Sequence, residues 1–155
     1  MLEKLFLESS TIQIPVGIQD KDDPDKITDF VLSFDASDDV VLHAAEIVDK
    51  AQGELDKIQV RYTELINKGD QLDDEDLPEA IAAINDVLRV QFDTNFGLGM
   101  YDKLQAAAGK NSFLNMMILY RQAMNYIEQV LSNVAAKAQR QSAKRKAKYI
   151  KKHRR

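Results

Sequence analysis

Two stretches of the sequence carry apolar residues that alternate at three and four positions. The first stretch begins at Ser37 or Asp38, either of which is a plausible N-cap, and runs to about Asn67, where Gly69 can close a helix. Its apolar residues are Val41, Ala44, Val48, Ala51, Leu55, Ile58, Tyr62 and Leu65. An α-helix has about 3.6 residues per turn, so this spacing keeps one apolar stripe on one side of a helix roughly 45 Å long. The pattern predicts a long helix that packs against another helix.

The second stretch repeats this spacing near the end of the chain. Asn111 or Ser112 can cap it, and its apolar residues are Phe113, Met117, Tyr120, Met124, Ile127, Leu131, Val134 and Ala138. Two long helices with matching stripes can pack antiparallel on each other, and we expect this arrangement. Beyond Ala138 the stripe stops, although Ala, Lys, Arg and Gln still favour helix.

Shorter elements lie between the two stripes. Pro78, at a first helical position, predicts a helix that ends near Asn95. The glycine-containing stretch 96–101 then predicts a turn into a short helix that Gly109 closes.

The N-terminal part of the chain has the alternation of β-strands. Ile12, Ile14 and Val16 lie on one face of one extended segment, and Phe30, Leu32 and Phe34 lie on one face of another. An acidic loop over 17–26 joins them, so we predict an antiparallel hairpin, with Pro15 marking an edge strand or a break. Two strands alone are marginally stable, so the hairpin must pack on helices, find a third strand at Leu5–Leu7, or pair with another chain.

These patterns predict a mainly α fold, a helical bundle with two long helices and a small N-terminal β-hairpin. Three Pro and six Gly residues provide few turns for a many-stranded β fold. We divide the chain into an N-terminal β element at 1–36, a helical body at 37–136 and a basic C-terminal arm at 137–155.

The division follows a sharp partition of charge. Residues 1–136 contain 11 basic and 25 acidic residues, a formal charge of −14, whereas residues 137–155 have a charge of +10 and no acid. The arm consists of Lys137, Arg140, Lys144, Arg145, Lys146, Lys148, Lys151, Lys152, Arg154 and Arg155. It can neutralise nucleic-acid phosphates, meet an anionic membrane surface, or dock on an acidic protein, which includes another copy of this chain.

The sequence offers little for catalysis. It has no cysteine, and its two histidines are His43 in the first striped stretch and His153 in the arm. The acidic loops at 20–25 and 70–76 lack the glycine and the ligand order of a calcium-binding loop. We therefore expect no enzyme activity, no cofactor and no metal. The N-terminus lacks a secretory pattern and no apolar run is long enough for a membrane span, so we expect a cytoplasmic protein.

The segment Val90-Gln-Phe-Asp-Thr-Asn-Phe-Gly-Leu-Gly-Met-Tyr-Asp-Lys-Leu, between a helical body and a last helix, resembles the tail assembly chaperones of long-tailed bacteriophages. The motif of the resemblance is an aromatic-Gly-x-Gly turn before a small helix. The resemblance implies a non-enzymatic protein that coats the helical tape-measure protein and recruits tail-tube subunits. It points to Phe96, Gly97, Gly99 and Tyr101 as partner-binding residues.

We add Met116 and Met117 as candidate partner-binding residues, because thioether side chains adapt to varied helices, although such residues more often form helix core. The leading hypothesis is a phage tail assembly chaperone that self-associates and acts in the host cytoplasm. Two alternatives stay open at this point: a nucleic-acid-binding accessory protein that acts through the arm, and a virion structural or connector protein.

Overall fold

The computed structural model describes residues 3–153, which form a mainly helical fold with one β-hairpin, so the predicted fold class is confirmed. The elements are β1 (Thr11–Gln19), β2 (Ile27–Asp35), α1 (Asp38–Leu42), α2 (Ala44–Arg61), α3 (Thr63–Lys68), α4 (Leu77–Phe96), α5 (Met100–Ala107) and α6 (Phe113–His153). Two short 3-10 turns, Gly69–Gln71 and Asp74–Asp76, connect α3 to α4. The chain divides into two compact units between Tyr120 and Arg121, inside α6.

The hairpin is antiparallel and has the predicted apolar face. β1 and β2 pair antiparallel, and their predicted inward residues lie directly opposite each other: Ile12 with Phe34, Ile14 with Leu32, and Val16 with Phe30. Leu32 is fully buried, and β2 packs on α4 and α5. Packing on helices is thus how the hairpin is stabilised. The third strand suggested for Leu5–Leu7 is wrong, since these residues form no strand and are almost fully exposed.

The first stripe does not form the single uninterrupted helix that its spacing predicts. One residue between α1 and α2, His43, and one between α2 and α3, Tyr62, leave helical geometry, with φ, ψ of −100°, 11° and −107°, 24°. Each break coincides with a polar contact of that residue. The Nδ1 atom of His43 lies 2.8 Å from the carbonyl oxygen of Asp39, and the Tyr62 hydroxyl donates to Asp86 of α4. Gly53, the residue of lowest helix propensity in this stretch of the chain, lies inside α2 and does not interrupt it.

The stripe is buried at only one end. Val41 and Val48 are 64% and 63% exposed, whereas Ile58 and Leu65 are 8% and 7% exposed. Within the first unit, α2 packs mainly on α4. The reason is that α4 has its own apolar side, with Leu88 buried, and lies only a short connection away from α3.

The acidic segment before α4 is a helix-capping structure. The Asp73 side chain accepts a hydrogen bond from the Glu75 amide at 3.0 Å, and the Asp76 side chain accepts one from the Asp73 amide at 3.1 Å. The Lys68 ammonium donates to Asp76 at 2.7 Å, which lowers the pKa of that carboxyl. These bonds connect the end of α3 to the start of α4, which has Pro78 in its first turn as predicted.

The glycines between α4 and α5 serve backbone geometry. Gly97 and Gly99 have φ of 115° and 81°, values that residues with a Cβ atom rarely adopt. The turn reverses the chain so that α5 packs against α4. Gly109, with φ of 66°, follows α5 as expected.

The last helix begins at the predicted cap, where Ser112 Oγ accepts a hydrogen bond from the Asn115 amide at 3.2 Å. It continues past the end of the stripe to His153. In its second-unit part, Ile127 is buried, whereas Leu131 and Val134 are exposed. The boundary placed at residue 137 marks the change of charge and stays a prediction. None of the helices within residues 3–153 has the length and apolar character that a membrane crossing requires.

Candidate interaction groove

The core of the first unit is built around Phe92 of α4. Its side chain is fully buried, and its ring centroid lies 5.4 Å from Tyr101, 5.4 Å from Tyr120 and 5.9 Å from Phe96. Tilted aromatic pairs at these distances each contribute about 0.5–1.5 kcal/mol beyond their buried area. Burial raises the pKa of both tyrosine hydroxyls. The glycine turn therefore brings Tyr101 back against Phe92.

A carboxylate of α4 connects this core to α2. Asp86 accepts hydrogen bonds from the Tyr62 hydroxyl at 2.7 Å, from Arg61 at 3.2 Å and from Arg89 at 2.9 Å. The bond to Asp86 raises the pKa of Tyr62, because the neutral hydroxyl is the form that donates. The break at Tyr62 thus accompanies a specific contact between the two helices.

A second set of polar contacts fixes α5 on α4. The Tyr101 hydroxyl donates to Asn85, the Tyr101 amide donates to Asp93 at 3.0 Å, and Arg89 bonds Asp102 at 3.1 Å. The Arg89 guanidinium also lies 5.5 Å from the centre of the Tyr101 ring, within the range of a cation–π interaction. These contacts hold the turn and α5 in one arrangement, and they give Tyr101 a structural role.

An open apolar groove of about 640 Å³ lies beside this core, between α2–α3, α4 and the first turns of α6. Of the described residues that line it, none is charged, and the polar ones are Gln59, Tyr62 and Gln91. Three of its apolar residues remain substantially exposed: Ile66, Leu114 and Met117. Its volume is in the range of binding sites, and apolar grooves between helices receive the apolar face of another helix. The geometry is that of an open apolar groove bordered by helices.

A second groove of about 620 Å³ lies between the exposed half of the first stripe and the C-terminal half of α4. Its lining is mixed, because Ile47, Ala51 and Val90 alternate with charged side chains. Those charged residues are Lys50, Glu54, Arg89 and Asp93. Leu98, from the glycine turn, also lines this groove and is 94% exposed.

The predicted partner-binding residues do not form one surface. Phe96, Tyr101 and Met116 are buried in the core, and their assignment as partner-binding residues stays a prediction. Gly97 and Gly99 shape the turn. Met117 alone of the six lines the apolar groove, where it is 40% exposed.

Sequence reasoning missed Leu98 and most of the groove lining. The sequence feature that could have indicated Leu98 as an exposed apolar residue was its position between two glycines, in a turn. The signal for the groove was weaker, since Ile66 and Leu114 lie one position away from the predicted stripes.

The basic arm is helical over its described part. Lys144, Arg145, Lys146 and Lys148 have exposed side chains on α6. The helix also includes Lys151 and Lys152, whereas Arg154 and Arg155 lie outside the described residues. The arm is thus presented as a charged helix.

Side chains that could bind a metal ion do not gather at one place in the described part of the chain. Within residues 3–153, no three or more His, Cys, Asp or Glu residues gather as metal ligands would. His43 lies at the α1–α2 break and is half exposed, with Asp39 as its neighbour. The acidic loop between the strands is organised by its own carboxylates, since Asp20 accepts bonds from the amides of Asp22 and Asp23.

Comparison of this chain with protein-family models, curated proteins and solved structures found no match. The functional argument therefore depends on the geometry of the grooves and on the distribution of charge.

Proposed function

We propose that this protein is a non-enzymatic chaperone that binds an elongated helical partner in its apolar groove. Because the segment 90–104 resembles tail assembly chaperones of long-tailed bacteriophages, we take the tape-measure protein as that partner. Tail-tube subunits would be recruited to the complex. In this proposal the protein acts in the host cytoplasm and is not itself part of a catalytic step.

The observation that carries the proposal is the uncharged lining of the groove. Apolar side chains such as Ile66, Leu114 and Met117 are left partly exposed on a body that is otherwise strongly charged. Each apolar side chain that a partner covers contributes about 1.5–3 kcal/mol when burial is complete. The net negative charge of the body favours keeping a partly covered apolar helix in solution.

The groove walls suit a helix because they are themselves helices. α2–α3 form one side and α4 the other, and the first turns of α6 close one part. A partner helix would contribute apolar residues at successive turns, the pattern of helix-in-groove recognition. The core around Phe92 holds these walls in place before any partner arrives.

Co-expression with a tape-measure protein tests the proposal. We expect the two proteins to co-purify, and we expect the double variant Leu114→Glu, Met117→Glu to lose the partner, because two carboxylates would be buried in an uncharged groove. Ile118→Glu is the matched control, since Ile118 is exposed on the same helix and does not line the groove.

Two results would contradict the proposal. One is that the wild-type protein neither co-purifies with the partner nor raises its solubility. The other is that the groove variant, folded by circular dichroism, retains the partner as well as the Ile118→Glu control does.

A further inference from the structure

One face of α6 carries a row of basic side chains. Lys137, Arg140, Lys144 and Lys148 are spaced by three, four and four residues, and all four are exposed. At about 100° per residue they lie within a sector of about 80°, along a length of about 16 Å. We call these four residues the basic face. Like charges at this spacing weaken a helix, so an anionic surface opposite them would stabilise it.

The negative charge of the body is concentrated in two short segments. Residues 20–39 contain eight acids and two lysines, and residues 70–79 contain six acids and no base, so together they hold −12 of the charge of −14. The rest of the body is almost neutral. A positively charged surface that approaches this body is therefore attracted mainly to these two segments.

The two acidic segments differ in how available their carboxylates are. In the 70–79 segment five acids are exposed, and the sixth, Asp76, is buried and paired with Lys68. In the 20–39 segment all eight acids are exposed: Asp20, Asp22, Asp23, Asp25, Asp29, Asp35, Asp38 and Asp39. We call residues 20–39 the acidic hairpin segment. Its strand, β2, runs about 30 Å, long enough to lie along the basic face.

We propose that the basic face of α6 in one copy docks on the acidic hairpin segment of a second copy. The two surfaces are complementary in charge and comparable in length, and each copy carries both. A nucleic acid would also satisfy the basic face, but it would be repelled by the charge of −14 on the body of the same protein. When the partner is a second copy, the same negative charge attracts the basic face.

Charge reversal on each surface tests the docking. The face variant is Arg140→Glu, Lys144→Glu, and its control with the same change of charge is Arg145→Glu, Lys146→Glu, which lies away from the basic face on the same helix. The hairpin variant is Asp22→Lys, Asp25→Lys, Asp29→Lys, and its control in the other acidic segment is Asp70→Lys, Asp74→Lys, Glu79→Lys. The side chains chosen in the hairpin form no hydrogen bond or ion pair among the described residues.

Sedimentation velocity over a range of protein concentrations measures the association. Wild type should associate at about 0.1 M salt and dissociate toward monomer at about 1 M, where the screening length falls from about 10 Å to about 3 Å. Each of the face and hairpin variants should weaken association about tenfold or more, and the controls much less. An equal mixture of the face and hairpin variants should recover association, because the unchanged basic face of the hairpin variant can dock on the unchanged acidic hairpin segment of the face variant.

Several outcomes would overturn the proposal: a monomer at every concentration, equal weakening by variant and control, no recovery in the mixture, or association that strengthens with salt. A monomer that binds a DNA duplex through the basic face would assign that surface to nucleic acid instead. Partner binding in the apolar groove uses other residues. A protein that does not self-associate could therefore still have the proposed function, and failure to bind a partner helix would not contradict self-association.

Discussion

The two halves of the first apolar stripe have the same spacing and different surroundings. From Leu55 to Leu65 the stripe packs toward α4 and forms one wall of the apolar groove. From Val41 to Val48 the same spacing leaves valine side chains about two-thirds exposed. The difference shows that periodicity determines which side of a helix is apolar, whereas the neighbouring elements determine which part of that side is covered.

The covered half is also the half with specific polar contacts. Tyr62 bonds Asp86 across the interface with α4, and Arg61 bonds the same carboxylate. The exposed half has His43 with a contact inside its own helical segment. Contacts between helices, rather than helix propensity, therefore separate the two regions.

The largest expected effect lies in the core behind the covered half. Phe92→Ala removes the ring that Phe96, Tyr101 and Tyr120 surround, and should lower the free energy of unfolding by about 3–5 kcal/mol. Urea denaturation followed by circular dichroism measures it. A loss below about 1 kcal/mol would mean that the aromatic cluster is not the core of this unit.

A smaller effect is expected at the contact between α2 and α4. Tyr62→Phe keeps the ring and removes the hydroxyl that donates to Asp86. It should lower the free energy of unfolding by about 0.5–1.5 kcal/mol. The matched control is Tyr126→Phe, because Tyr126 is partly exposed on α6. Equal stabilities of the two variants in urea denaturation would contradict the role given to the Tyr62–Asp86 bond.

The pair that connects α3 to α4 should make a contribution that depends on pH. Lys68 holds the pKa of Asp76 below 3.8, so the stabilisation is present above that value and is lost as the pH falls through the lower pKa of the folded state. Thermal unfolding of wild type and Asp76→Asn should therefore differ near neutral pH and converge in acid. A difference that stays constant down to the lowest pH would show that the carboxylate charge is not involved.

The smallest effect is expected in the exposed half of the stripe. Val48→Ala should change the free energy of unfolding by less than about 0.5 kcal/mol, because the side chain is already in water. Ile58→Ala, at the buried end, should cost about 2–5 kcal/mol in the same urea experiment. Similar costs at both positions would remove the contrast between the two halves.

Local patterns in the sequence were sufficient for most of the fold. The antiparallel hairpin, Pro78 at the start of α4, the turn at Gly97 and Gly99, and the cap at Ser112 all depend on nearby residues. The breaks at His43 and Tyr62 were not predictable in this way. The Tyr62 break accompanies a bond to a residue far along the chain.

The groove was harder to predict than the fold. Its lining comes from four helices, and residues such as Ile66 and Leu114 lie beside the predicted stripes rather than on them. The glycines of the segment 90–104 predicted the turn, but Phe96 and Tyr101 of the same segment are buried. An interaction surface assembled from distant segments depends on helix packing, which spacing alone does not specify.

Hydrogen–deuterium exchange on the complex with a tape-measure protein tests helix binding in the groove most directly. We predict slower exchange, relative to the free protein, in the segments 55–66, 83–91 and 113–117 that line the apolar groove. Slower exchange confined to the basic arm, or no change in the three groove segments of a complex that demonstrably forms, would contradict it.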